Sequence, residues 1–275
     1  MPADPTFADS STQRESARTR GRTIFASPPW DEVADRAALL LTDPPADLEV
    51  EATPGYWIVV ERDVSRSLPA DFAQPLFRGE PVIRALDLDG AHTARLEVLT
   101  RESAQRLVEG VSRNSIEARW RIRHAEPIVD RLRLQEQLAS AAAQLPVGAP
   151  NRVTRTLWLE AHAGLRALSE ANGRPLLVAA GETRGALERL ACFLDVGAYP
   201  PARYLAAAAA STALGQRLGD WFAGLGDAAG GDEAAARRTT GSIDQVRKEV
   251  HAVVRLSVGT HDWLADPDPF WLRAR

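Results

Sequence analysis

Cysteine and lysine are nearly absent from this 275-residue chain, where Cys192 and Lys248 each stand alone. A single cysteine excludes an intramolecular disulfide. Its apolar surroundings (Leu190, Ala191, Phe193, Leu194) predict a buried, unreactive thiol suited to a reducing, cytoplasmic setting. No run approaches the roughly 20 apolar residues of a membrane span, because Ala206 to Ala210 is short and lies among polar residues. Positive charge is not in excess either. A net charge of -4 and a pI near 5.8 remove the broad basic footprint of a nucleic-acid binder. The Gly-x-Ser-x-Gly elbow, the Walker lysine motif and the Gly-x-Gly-x-x-Gly fingerprint are missing. The histidines His92, His124, His162, His251 and His261 form no zinc signature.

The polar stretch from Met1 to Arg20 has no apolar core of the secretory kind and is expected to be a disordered arm. Basic residues are almost all arginine and alanine is abundant, a bias that points to a GC-rich, bacterial genome. With 45% hydrophobic residues the chain can bury one large core or two modest ones, and a change of pattern near Thr100 favours two. Before that point the sequence reads as short strands broken by Pro and Gly: Arg22 to Ala26, Ala37 to Thr42, Leu48 to Ala52, Tyr56 to Arg62, Val82 to Leu88 and Ala94 to Leu99. Leu88-Asp89-Gly90-Ala91 signals a hairpin, since glycine accepts the positive φ of a primed turn.

From Thr100 the spacing becomes helical and few strands should follow. Thr100 is placed to cap a helix over Arg101 to Val111. Further helices are expected over Ser115 to His124, Arg131 to Leu145, Arg152 to Ala171, Leu176 to Leu194, Ala202 to Ala210, Ala213 to Leu225 and Ser242 to Ser257. Leu187, Leu190, Ala191 and Leu194 recur on one face, as in an antiparallel bundle. Gly226 to Asp232 reads as a mobile loop because its glycines make ordering costly. Asp262-Trp263 to Phe270-Trp271 reads as an irregular tail pinned by its rings. The expected domains are a disordered arm over 1–20, an α/β domain over 21–130 and a helical bundle over 131–275.

Several stretches together resemble the nucleotidyltransferase superfamily, in particular its small-molecule, aminoglycoside-type branch. One is Asp89-Gly90-Ala91-His92-Thr93-Ala94-Arg95-Leu96-Glu97-Val98-Leu99-Thr100, followed by a helix and His124-Ala125-Glu126-Pro127-Ile128-Val129-Asp130. Another is Leu194 to Tyr204, similar to the bundle helix-turn-helix of that family, which carries a basic residue near Arg203. The resemblance runs from about Gly21 to Leu225. It implies an α+β fold, a mixed sheet with helices followed by an antiparallel helical bundle. Members use a Gly-Ser turn, an Asp-x-Asp pair and a third carboxylate on a neighbouring strand to hold two divalent cations against a triphosphate. Here the corresponding residues are Gly21-Arg22 and Asp35-Arg36-Ala37, so arginine replaces the serine and alanine the second aspartate, leaving Asp35 and Glu97 as the matching acids. Asp31, Glu32, Asp43, Asp47, Glu49 and Glu51 lie nearby, and Glu49 and Glu51 would share one face of a strand.

The resemblance implies a small-molecule enzyme with its pocket in the interdomain cleft, performing either Mg²⁺-dependent nucleotidyl transfer from a nucleoside triphosphate to a substrate hydroxyl or repurposed chemistry. Asp35 and Glu97 would be catalytic and hold Mg²⁺, while Arg203, Tyr204 and Arg22 would bind ligand. Arg203 opens a helix whose amides and dipole favour an anion. The alternative is a catalytically inactive relative acting as a ligand-binding or scaffold protein, favoured by Ala37, since a methyl group cannot coordinate Mg²⁺. Partners are expected to be a small molecule, not nucleic acid or membrane, with a homodimer as the oligomer to test. An arginine stripe through Arg113, Arg119, Arg121 and Arg123 is the one feature that would suit nucleic acid, and its simpler reading is a solvated helix face.

Overall fold

A computed structural model describes residues 19, 21–26, 28, 30–43, 55–66, 68–87, 93–171, 174–229, 232–259 and 264. The chain divides into two compact units, Met1–Gln144 and Leu145–Arg275. In the first, a helical turn α1 over residues 21–24 leads to α2 (Trp30–Asp35), β1 (Ala37–Asp43), β2 (Gly55–Val60), α3 (Arg62–Ser65) and α4 (Ala70–Phe77). Then come β3 (Val82–Asp87), β4 (Thr93–Thr100), α5 (Arg101–Glu109), α6 (Arg113–His124), β5 (Glu126–Asp130) and α7 (Leu134–Ala143).

The five strands form one mixed sheet in the order β3-β4-β2-β1-β5. β2 and β4 run parallel, with Trp57 opposite Glu97, while every other pairing is antiparallel. All six residues of β2 are buried, as a central strand covered on both faces requires. Alternation divides the side chains between two cores. Leu40, Tyr56, Ile58, Val60, Leu96 and Val98 meet Phe25, Val33, Phe72 and Leu76 of the N-terminal helices and turn. Leu39, Leu41, Trp57, Val59 and Leu99 meet Ala104, Val108, Ala118, Ile122, Leu134 and Leu138 of α5, α6 and α7.

Caps set the helix boundaries. The Thr100 hydroxyl accepts from the Ser103 amide at 3.2 Å, as its position predicts, and the Ser112 hydroxyl starts α6 by accepting from Ser115. Asp130, at the end of β5, accepts from the amides of Leu134 (2.7 Å) and Gln135 (3.3 Å) and so fixes the entry to α7. Helix α7 packs its Leu134, Leu138 and Ala142 into the sheet's core, so the boundary falls after it rather than at the expected residue 130.

The second unit holds α8 (Ala149–Glu170), α9 (Arg174–Val196), α10 (Ala202–Ala210), α11 (Ala213–Ala229), α12 (Glu233–Gly241) and α13 (Ile243–Val258). Glu160 contacts Arg189 and Gly164 faces Thr183, an inverse order that makes α8 and α9 antiparallel. Their facing residues, among them Trp158, Leu165, Leu187 and Leu190, are buried. Trp221 of α11 donates its indole N–H to the Thr239 carbonyl of α12 at 3.2 Å, and Arg217 pairs with Glu249 of α13 at 3.2 Å. The chain is thus α+β, a mixed sheet with helices followed by a helical unit. No helix among the described residues is long and apolar enough to cross a membrane.

Several expectations are corrected. Residues 22–24 are helical, not strand, because Ile24 and Phe25 are anchored on the sheet rather than paired with it, Phe25 meeting Tyr56 edge-on at 5.1 Å. Arg62 starts α3 instead of ending β2. The expected loop from Gly226 is largely helix: α11 runs to Ala229, and Asp232 caps α12 through the Ala234 and Ala235 amides. The strand expected over Leu48 to Ala52, the turn at Leu88 to Ala91, the arm over 1–20 apart from residue 19, and the C-terminal tail apart from Leu264 lie outside the described residues.

Candidate functional site

Glu97 sits at the middle of β4, on the sheet face covered by α6. Its carboxylate accepts a hydrogen bond from Arg121 of α6 at 3.0 Å and lies 3.8 Å from Arg95, two residues earlier on the same strand. The side chains of Glu97 and Arg121 are each 13% exposed, whereas Arg95 is 52% exposed. The Arg121 guanidinium also lies over the indole of Trp57, 5.6 Å from the ring centroid. Two guanidinium groups therefore share one carboxylate, and the more buried of them lies over an aromatic ring.

Asp35 is placed elsewhere. It is exposed at the end of α2, and its backbone carbonyl accepts a hydrogen bond from Arg131. Ala37, two residues on, pairs with Val60, which stands opposite Thr100, whereas Glu97 stands in the row of Trp57 and Leu41. With about 3.3 Å per strand residue and about 4.8 Å per strand, Ala37 at the end of α2's connection to β1 lies roughly 10–13 Å along the strands and two strands across from Glu97. Helix α2 also packs on the opposite face from α6. The structure does not bring the two acids together.

The strand beside Glu97, Gly55-Tyr56-Trp57-Ile58-Val59-Val60, offers no carboxylate. Among the described residues no group of three or more His, Cys, Asp or Glu is arranged to hold a metal ion. Arg22 is exposed on α1. In the second unit, Arg203 is the second residue of α10 and stacks on the ring of its neighbour Tyr204 at 4.7 Å, while Tyr204 itself is fully buried. Tyr204 is thus a core residue, and Arg203 is held by packing as well as charge. Glu49 and Glu51 lie outside the described residues.

Sequence reasoning missed Trp57 and Arg95 altogether and placed Arg121 on an arginine stripe. No stripe exists. Arg119 is fully buried, Arg121 turns to Glu97, and Arg113 is exposed beside Glu117. A spacing of two residues sends consecutive members to opposite sides of a helix. A second feature, also unforeseen, is a cavity of about 350 Å³ where β2 ends, lined by Glu61, Arg62, Asp63, Arg66 and Glu102. Its charges largely offset one another: Arg101 binds Glu61 at 3.1 Å, and Arg62 and Arg66 lie over the Phe77 ring.

Cys192 is buried in α9, and its thiol is pushed up from 9.0 to about 12, first by burial and then by the charges of Glu188 and Asp195. The folded state thus holds the proton more tightly than the unfolded chain. This contribution to stability is present below pH 9 and lost as pH rises toward 12. Iodoacetamide at pH 8 is expected to leave the native protein unmodified over an hour and to alkylate it fully in guanidinium, as mass spectrometry would read. Fast labelling of the native protein would place the thiol at the surface.

No family model and no curated protein matches the chain. Among solved structures it is similar to a nucleotidyltransferase-like protein from Exiguobacterium sibiricum, at 12% identity over 88% of this chain and 76% of that one, with a TM-score of 0.38. A likeness of that size carries no argument about activity.

Proposed function

We propose that this chain is a catalytically inactive relative of the nucleotidyltransferases that serves as a ligand-binding or scaffold protein in a reducing cytoplasm, and that it does not perform metal-dependent nucleotidyl transfer. The observation that supports this most is the Arg121–Glu97 ion pair, with both side chains 13% exposed and the Trp57 ring beneath. A divalent cation would have to take the carboxylate from Arg121, leaving a largely buried guanidinium without that partner. Separating the pair would forfeit a charge-assisted hydrogen bond of 3.0 Å. Mg²⁺ is usually held by one or two carboxylates together with substrate phosphates, and β2 supplies no acid beside Glu97.

Isothermal titration with ATP and with GTP, each with and without Mg²⁺, tests the reading. Neither nucleotide is expected to show Mg²⁺-dependent binding. Glu97→Gln is expected to lower stability by about 1–2 kcal/mol through loss of a charge-assisted hydrogen bond, read by urea denaturation. Mg²⁺-dependent nucleotide binding that disappears in a folded Glu97→Gln variant would restore the transferase reading, with a nucleoside triphosphate as substrate and Mg²⁺ as cofactor.

A further inference from the structure

The carboxyl ends of the parallel strands β2 and β4 lie side by side, Val60 opposite Thr100. From that line the chain leaves in two directions. Beyond β2 it runs through α3 to α4, whose Phe72 and Leu76 pack in the core on one face of the sheet. Beyond β4 it enters α5, whose Ala104 and Val108 pack in the core on the other face. Adjacent parallel strands that send their continuations to opposite faces leave a crevice beyond their carboxyl ends, where open α/β sheets hold their ligands. The cavity of about 350 Å³ lies there. Glu61, Arg62, Asp63 and Arg66 line it from the segment after β2, and Glu102 lines it from the first turn of α5. Its size is at the small end of ligand pockets, which run from about 300 to 1,000 Å³.

Two of the five lining groups are committed to the protein. Arg101 donates to Glu61 at 3.1 Å, and Arg62 donates to the Phe77 carbonyl at 3.5 Å. The other three carry both signs. The Arg66 guanidinium lies over the Phe77 ring, 5.2 Å from its centroid. Stacking occupies the flat of a guanidinium and leaves its in-plane N–H groups to bond, a fork that matches the two oxygens of a carboxylate. Asp63 accepts from the Val64 amide through Oδ1 at 2.9 Å, which leaves Oδ2, and Glu102 is exposed on the α5 side. A carboxylate suits Arg66, and an ammonium suits the two acids. A polyanion such as a nucleoside triphosphate is repelled by Asp63 and Glu102, whereas a simple amine gains nothing from Arg66.

We propose that this crevice binds a small zwitterion, an amino acid, with its carboxylate on Arg66 and its ammonium between Asp63 and Glu102, and that it does so without a metal ion or a nucleotide. Glu61 and Arg62 shape the site and are held by Arg101 and Phe77. The inference rests on the ligand-binding form of the reading above and names the ligand class that reading leaves open.

Titration calorimetry of the full chain in EDTA with each of the common amino acids tests it. For the tightest binder, the analogue lacking the carboxylate and the analogue lacking the amine follow. At least one amino acid is expected to bind saturably, and both of its analogues more weakly by roughly tenfold or more. Arg66→Gln and Glu102→Gln, changes at exposed positions that leave the fold intact, are each expected to weaken amino-acid binding by a similar factor. Each should also bring the amino acid level with the analogue that lacks the matching group. No saturable binding of any amino acid, an analogue that binds as tightly, or binding that survives either substitution unchanged would overturn the crevice and leave the non-catalytic reading in place. Amino-acid binding that appears only with Mg²⁺ and ATP would overturn both.

Discussion

Arg119→Met is expected to destabilise the first unit by about 2–4 kcal/mol, although it removes a buried charge. Arg119 is fully buried, and burial lowers its pKa, so the protein bears the cost of keeping a cation out of water. Replacing a buried charge with an apolar side chain is often neutral or stabilising, provided its partners are replaced too. Here the partners cannot be replaced, because they are backbone carbonyls. The guanidinium donates to Ala142 at 2.7 Å, to Gln144 at 3.1 Å and to Gly110 at 3.2 Å. Ala142 and Gln144 lie at and just beyond the end of α7, where carbonyls lack helical partners. Methionine fills the volume but leaves three acceptors unmet, at about 1–3 kcal/mol for each that stays dry. Rehydration of part of the set brings the net to the stated range. Lysine, with a compact ammonium that cannot span all three, should fall between wild type and methionine. Urea denaturation followed by circular dichroism reads the effect, and an unchanged midpoint for Arg119→Met would show that these bonds contribute nothing net.

Gly215→Ala is expected to cost roughly 3 kcal/mol, at the upper end of overpacking. Gly215 is in the first turn of α11, where its amide donates to the Thr212 hydroxyl at 3.0 Å while that hydroxyl donates back to Ala209 at 2.7 Å. A Cβ at Gly215 would stand 1.8 Å from the Ala209 carbonyl oxygen. The obstacle is backbone, which cannot swing aside as a side chain does, so α10 and α11 would have to separate. Gly181, within α9, has nothing within 4 Å of such a Cβ. Gly181→Ala is therefore expected to stabilise by about 0.5–1 kcal/mol through helix propensity. Opposite signs for two identical substitutions in helices of one unit would separate steric cost from propensity in thermal or urea unfolding. Equal effects would mean that the α10–α11 turn relaxes freely.

The hairpin strands, the Thr100 cap and most helices of the second unit were legible because their signals are local. Alternation over six residues or apolar spacing over four can be read without knowing what lies across the fold. Strand β5 was missed for a related reason. It is short, follows a helix directly and contains Pro127, which reads as a breaker unless the strand is known to lie at a sheet edge, as β5 does. Helix α4 carries Pro75 in its interior and begins after Pro69, so its punctuation resembles that of a loop. The apolar pair Ile24 and Phe25 was too short for either period to show.

Glu97 was singled out from its position on the strand after the hairpin, but its partner was not. Arg121 lies 24 residues away, one of four arginines on or near α6 with no local mark to show which turns inward. Arg119, two residues earlier, looks the same in sequence and ends in a wholly different setting. By itself the sequence determined the single thiol, the charge balance, the Thr100 cap and the kind of most elements, since each depends on composition or on neighbours within a turn. The tertiary structure alone decided that an apolar β2 lies beside Glu97, that Asp35 lies on another face and at the other end of the sheet, and that one arginine pins a helix while another neutralises the acid. Those outcomes depend on strand order and helix placement, which are set by how two whole cores pack and not by any single segment.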